Sequence, residues 1–138
     1  MAARARDFLE VLVRRGVLST DQSNEVRQYS KDTGVNVGEA VVKLEYGRWE
    51  DVMMAMAQFY GLDYVELKEL SIPESVIELV PESVARENTV LPMAEDDGAL
   101  RVIVSDPNDI DLTEKLRFIL NRKVEIALAP RDAIIEAI

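Results

Sequence analysis

The sequence predicts an α+β fold: a helical subdomain of about four short helices, then a small three-stranded sheet packed with helices. Three observations predict it. Over residues 1–61 apolar residues recur at helical spacing, and Gly16, Gly34, Gly47 and Gly61 fall where the pattern stops. From Pro81 onward the hydrophobic period changes between segments, with a turn signal at each change. Two short apolar runs, 89–94 and 99–105, flank Asp96-Asp97-Gly98, a hairpin sequence. The expected domains are therefore a helical subdomain at 1–61, a connector at 62–80 and an α+β subdomain at 81–138.

Each element has a local cause. Phe8, Leu9, Leu12 and Val13 lie on one helical stripe, with Val11 beside it. Arg14-Arg15 before Gly16 ends that helix, because cations favour the negative end of the dipole and Gly accepts the left-handed turn. Ser19 with Gln22 three residues on has the spacing of a capping box. The helix it opens carries few apolar residues, Val26 and Tyr29, and is expected to be peripheral and to end near Gly34. Residues 38–46 give a short helix closed by Gly47. Residues 49–60 give a longer one, with Trp49, Val52, Met53, Met56 and Tyr60 on one face and Gly61 as its cap. Met53, Met54 and Met56 would suit an adaptable surface, but core packing is the favoured reading. The two helix pairs look alike, which hints at a duplicated unit.

Beyond Gly61 an extended link is expected over 62–67, a short helix over 76–80, and another over 82–87 with Pro81 at its first position. Pro107-Asn108-Asp109 stops the second strand, and a helix opens at Asp111-Leu112. A third strand over 124–128 ends at Pro130, and a short helix follows.

Composition removes several functions. The chain has 138 residues, 48% of them hydrophobic, enough for one domain or two small packed subdomains. No apolar run approaches the ~20 residues of a membrane span, and no secretory leader is visible. Cys and His are both absent, which excludes thiolate sites and leaves no imidazole base or ligand. The net charge of −10 opposes nucleic-acid binding. It is unevenly spread: Arg4, Arg6, Arg14 and Arg15 crowd the start, whereas acids collect over 66–87 and 95–111. That asymmetry fits a polar docking surface or anionic-lipid contact, or simply a solvated helix face. No Walker loop and no G-x-G-x-x-G occurs, and the Asp106, Asp109, Asp111 series is better read as turn and cap than as a metal site. Catalytic residues, cofactors and metals are all expected to be none.

Val80-Pro81, Ala85, Val90-Leu91-Pro92, Gly98-Ala99-Leu100-Arg101-Val102 and Ser105-Asp106-Pro107-Asn108-Asp109 follow one another in an order similar to a known family. They resemble the N-terminal domain of the type II secretion and type IV pilus assembly ATPases. Gly61-Leu62-Asp63-Tyr64-Val65 resembles that family's Gly-Leu-Pro-Tyr-Val link, with Asp63 in place of Pro. The resemblance covers about residues 8–138. It implies a cytoplasmic, non-catalytic module placed ahead of an ATPase motor domain of the same chain. It further implies docking on the cytoplasmic domain of an inner-membrane platform protein, which would hold the module at the bacterial inner membrane.

In some relatives the helical part instead binds cyclic di-GMP through two tandem motifs, each opening with Arg-Leu-Gly and closing with Gln. The first copy's triplet falls on Asp7-Phe8-Leu9, its middle Leu and Gly on Leu12 and Gly16, and its last three positions on Ser23, Arg27 and Ser30. The second falls on Asn36-Val37-Gly38, Val41 and Glu45, then Val52, Met56 and Phe59. Both Arg and both Gln positions are replaced, and Asp7 would repel a ligand phosphate. The function the resemblance implies is therefore that of a docking module of a type II secretion ATPase, with a cyclic di-GMP-binding regulatory domain of a pilus or secretion ATPase as the alternative. The candidate partner-binding residues are Phe8, Leu9, Val11, Leu12, Arg14 and Arg15, on a first helix that either inserts into a partner's groove or packs on the other three helices.

Overall fold

In the computed structural model residues 5–138 are described, and the chain divides into two compact units with the boundary between Gly61 and Leu62. Four helices form the first unit: α1 (Phe8–Arg14), α2 (Thr20–Thr33), α3 (Val37–Lys43) and α4 (Trp49–Tyr60). They are two copies of one helix pair at a constant offset of 29 residues, which carries Asp7 onto Asn36, Ser19 onto Arg48 and Thr20 onto Trp49. Asp7 and Asn36 both cap a seven-residue helix, accepting from the backbone N–H of Glu10 and Glu39. Ser19 and Gln22 close a full capping box on α2. At α4 only half of it forms: Asp51 accepts from the Arg48 N–H, but a guanidinium cannot accept in return.

The turn after α3 closes differently from expectation. Its left-handed residue is Glu45 (φ 61°), at the place of Gly16 (φ 80°) in the first copy. Gly47 serves close approach instead, since a Cβ there would lie 3.1 and 3.2 Å from the Cγ1 atoms of Val17 and Val41.

In this unit α1 packs on α4 and α2 on α3, so each copy's first helix lies against the other's second. The core repeats with the same offset: Val11 and Ala40, Leu12 and Val41, Val26 and Ala55 are all buried. On α4 the burial falls on Val52, Met53, Ala55 and Ala57, while Trp49 and Tyr60 are exposed, contrary to the expected face. Seven residues of α1 span ~10 Å and twelve of α4 ~18 Å, so the shorter helix cannot cover the longer one along its whole length.

The second unit begins with the stretch read as connector, which lies along the sheet edge. Val65 N–H donates to Leu128 O and Leu128 N–H to Asp63 O, both at 2.8 Å. A 3-10 turn (Leu67–Glu69), α5 (Glu74–Ile77) and α6 (Glu82–Asn88) lead to β1 (Leu91–Asp96), β2 (Ala99–Val104), α7 (Ile110–Leu120), β3 (Lys123–Leu128) and α8 (Arg131–Ala137). The sheet order is β1-β2-β3, antiparallel then parallel, with α7 as the crossover. Asp97 and Gly98 both have positive φ, as a two-residue hairpin loop requires. Leu100, Val102, Ile103 and Val104 of the middle strand are buried on alternate sides, so both of its faces are covered. Thr89 caps α6 at φ 53° rather than opening the strand. Ile103, Leu91, Val65, Ala127, Ala129 and Ile134 form one buried cluster of this unit.

Candidate functional site

The six residues expected to bind a partner separate on α1. Leu9, Val11 and Leu12 are buried in the helical unit's core, and Phe8 is half-buried against it. Arg14 and Arg15 face solvent. Arg15 leans over α4, with Nη1 donating to Gln58 Oε1 at 3.2 Å and Nη2 reaching Met54 Sδ at 3.7 Å. Arg14 has no hydrogen bond or ion pair among the described residues. Arg6 is held by Glu10, and Arg4 lies outside the described residues. The apolar side of α1 is thus used internally, and its outward side is basic.

The wider charge distribution sharpens this contrast. Residues 1–61 hold eight Lys and Arg against nine Asp and Glu, whereas residues 62–138 hold eight against seventeen. Nearly all of the net negative charge therefore belongs to the second unit.

Each position of the cyclic di-GMP motif that should carry a polar ligand group is engaged within the chain or apolar. Asp7 accepts from Arg27 Nη1 at 2.8 Å and Nη2 at 3.2 Å, a two-pronged pair across the first helix pair. That hydrogen-bonded pair is the main cause that lowers the Asp7 carboxyl below its ordinary value; burial opposes it, and the Glu10 N–H and the charges of Arg27 and Arg6 assist. Arg27 is raised in turn, first by Asp7. Asn36 is spent as a helix cap, Ser30 Oγ donates to Val35 O at 2.6 Å, and Phe59 stacks edge-on with Tyr60. The Asp7–Arg27 pair was not legible in the sequence, because twenty residues separate its members. The Tyr46 hydroxyl's bond to Glu25 was missed for the same reason; its phenol pKa is raised, first by that bond.

A carboxyl whose folded pKa is depressed contributes stability that is present above its unfolded value and lost as pH falls through the folded one. Both members of the pair are more than a third exposed, so water screening holds the contribution to about 0.5–1 kcal/mol. Asp7→Asn keeps the cap and loses the charge. It is expected to lower stability by about that amount at pH 7, and the gap should close as pH falls below the ordinary carboxyl value of 3.8. Urea unfolding of both proteins across this range measures it, and a gap that is constant with pH would refute the pairing.

Elsewhere the acids read as structural do structural work: Asp106 accepts from Asn108 N–H at 2.8 Å, and Asp109 from Leu112 N–H at 3.0 Å. A recess of about 520 Å³ in the second unit is lined by aliphatic groups of Leu67, Ile72, Ile77, Val80 and Leu91, with Glu78 and Glu82 its charged members. None of the described helices is long and apolar enough to cross a membrane.

A duplicated four-helix unit followed by a β-β-α-β unit defines a two-unit α+β module. Residues 60–138 match the MshEN domain, more than half of the chain, and the chain belongs to that family, a non-catalytic module of secretion and pilus ATPases. The type IV pilus assembly ATPase PilB of Myxococcus xanthus (strain DK1622) is 28% identical over 129 residues, 94% of this chain. The chain spans only 23% of that relative's length. Among solved structures, MshE with cdg superposes with a TM-score of 0.83 at 24% identity, covering 96% of both chains. The N-terminal domain of XpsE gives 0.70 at 21% identity, covering 99% of this chain and 95% of that one. At these identities the likeness establishes the α+β fold.

Proposed function

We propose that this chain is the docking module of a type II secretion or type IV pilus ATPase, binding the cytoplasmic domain of an inner-membrane platform protein. The observation that carries the reading is the outward face of α1, where Arg14 and Arg15 stand exposed on a chain of net charge −10. Apolar insertion of α1 is replaced by surface docking, because Leu9, Val11 and Leu12 are already buried. The partner surface that fits is acidic, and its approach is steered by charge. The nucleotide chemistry belongs to a motor domain outside residues 1–138. The module itself then sits in the cytoplasm, at the inner membrane only through its partner.

The rival is a cyclic di-GMP receptor, favoured by the duplicated helix pair and by the likeness to MshE with cdg. Against it stand Asp7, already paired with Arg27, and Asn36, already capping α3. Arg14→Glu with Arg15→Glu leaves the buried side of α1 intact and is expected to weaken binding of the recombinant platform domain roughly ten- to hundredfold. The loss should shrink at high salt. Unchanged affinity in a folded double variant removes this face from the interface. Saturable heat on titrating cyclic di-GMP into the wild type would transfer the function to the rival.

A further inference from the structure

The recess of the second unit draws its wall from several parts of the chain. Leu67, Leu70 and Ile72 precede α5, Ile77 and Val80 lie at and just beyond its end, and Leu91 opens β1. At about 520 Å³ the recess falls within the size range of ligand-binding cavities. Ile77 is 45% exposed, so this aliphatic wall is open to water rather than sealed.

What the wall offers a ligand is one-sided. Its side chains are aliphatic or proline except for Glu78 and Glu82, which accept hydrogen bonds and donate none when ionised. The backbone N–H groups of Leu70, Ile77, Glu78, Val80 and Ala85 are already bonded to nearby carbonyls, and Pro81 and Pro92 have none. A phosphate or another anion would meet carboxylates there and few donors. An apolar body bearing a cation meets a fitting wall and a free acceptor. Glu82 already takes Arg86 Nε at 2.9 Å, but the Glu78 carboxylate has no hydrogen bond or ion pair among the described residues. The acidic surplus continues beyond the cavity. Residues 66–87 hold Glu66, Glu69, Glu74, Glu78, Glu82 and Glu87 against Lys68 and Arg86 alone. Negative charge over that length exceeds what one small cation can neutralise and suits a chain that carries several.

We infer that this recess docks a partner's peptide segment that is apolar on one side and rich in Lys or Arg on the other. Its aliphatic side chains fill the cavity and one of its bases meets Glu78. The site belongs to the second unit and selects the opposite charge from the arginine face of α1. A labelled peptide of Leu and Lys, patterned as an amphipathic helix, tests this on the intact chain. Fluorescence anisotropy should give a Kd of about 10–100 μM, and the same peptide with Glu in place of Lys should bind at least about tenfold more weakly. Methyl shifts in NMR spectra should gather at Ile72, Ile77, Val80 and Ala85. Glu78→Gln and Ile77→Ser, both at exposed positions, should keep their circular dichroism and each weaken binding about three- to tenfold. Asp111→Asn removes one charge outside the recess and should change it less than about twofold. A Leu and Lys peptide that does not bind overturns the inference. So do shifts scattered over the acidic surface, a Glu78→Gln variant no different from Asp111→Asn, or a Leu and Glu peptide that binds as well. Octylammonium binding as tightly as the peptide would exclude a peptide as the occupant.

Discussion

Leu12→Asp is expected to unfold the helical unit completely and leave the second unit folded. Leu12 is fully buried in the cluster that also holds Val26, Val41 and Val52. Removing a buried Leu side chain costs about 2–5 kcal/mol. The carboxyl put in its place has no partner there, and even as the neutral acid it adds about 1–3 kcal/mol. A unit of this size has only about 3–9 kcal/mol of stability to lose. Hydrogen exchange on the two units checks the result: amides of α1 to α4 should lose protection while those of β2 and β3 keep it. Persistent protection in α1 would mean that Leu12 does not sit where it is described. The same reasoning governs binding experiments. Charges at Leu9 or Leu12 would abolish partner capture by destroying the unit that presents the arginines, so loss of binding there says nothing of the interface. Only Arg14 and Arg15 separate docking from folding.

Ile103→Ala is expected to have the corresponding effect on the second unit. Ile103 lies on the middle strand, in register with Leu91 on one side and Ala127 on the other, and it is fully buried beside Ile134 and Val65. Covered strands leave no room for neighbours to collapse inward, so the cavity persists and the loss should reach about 2–5 kcal/mol. Denaturant unfolding followed by a probe in the sheet reads this directly, and a loss under about 1 kcal/mol would contradict the close packing assigned to Ile103. The substitution also weakens the hold on residues 62–65, because Val65 packs in the same cluster while its hydrogen bond to Leu128 remains. The stretch next to Gly61 should therefore gain exchange in this variant before the helical unit does.

The elements were legible where their causes are local. Ser19 and Gln22, Gly34, Gly61, Asp97-Gly98 and Asp109 act on backbone within four residues of themselves, and each sits where its chemistry predicts. Glu45 and Thr89 were not legible, since neither residue type announces a left-handed backbone. At the first helix Arg14 and Arg15 are exposed, whereas Leu9, Val11 and Leu12 carried an apolar pattern that a core and a groove-binding helix share, so their burial was not legible.

Periodicity, caps and turns in this chain thus settle which segments are helix or strand, and the absence of Cys and His settles which chemistry is missing. Burial, by contrast, depends on groups that meet from far along the chain. The folded arrangement put α1 against α4 and so consumed its apolar side, joined Asp7 to Arg27, left Trp49 and Tyr60 exposed, and turned Phe118 to water. Short-range rules act on neighbours in sequence, whereas the surface a partner meets is whatever remains after distant segments have packed together.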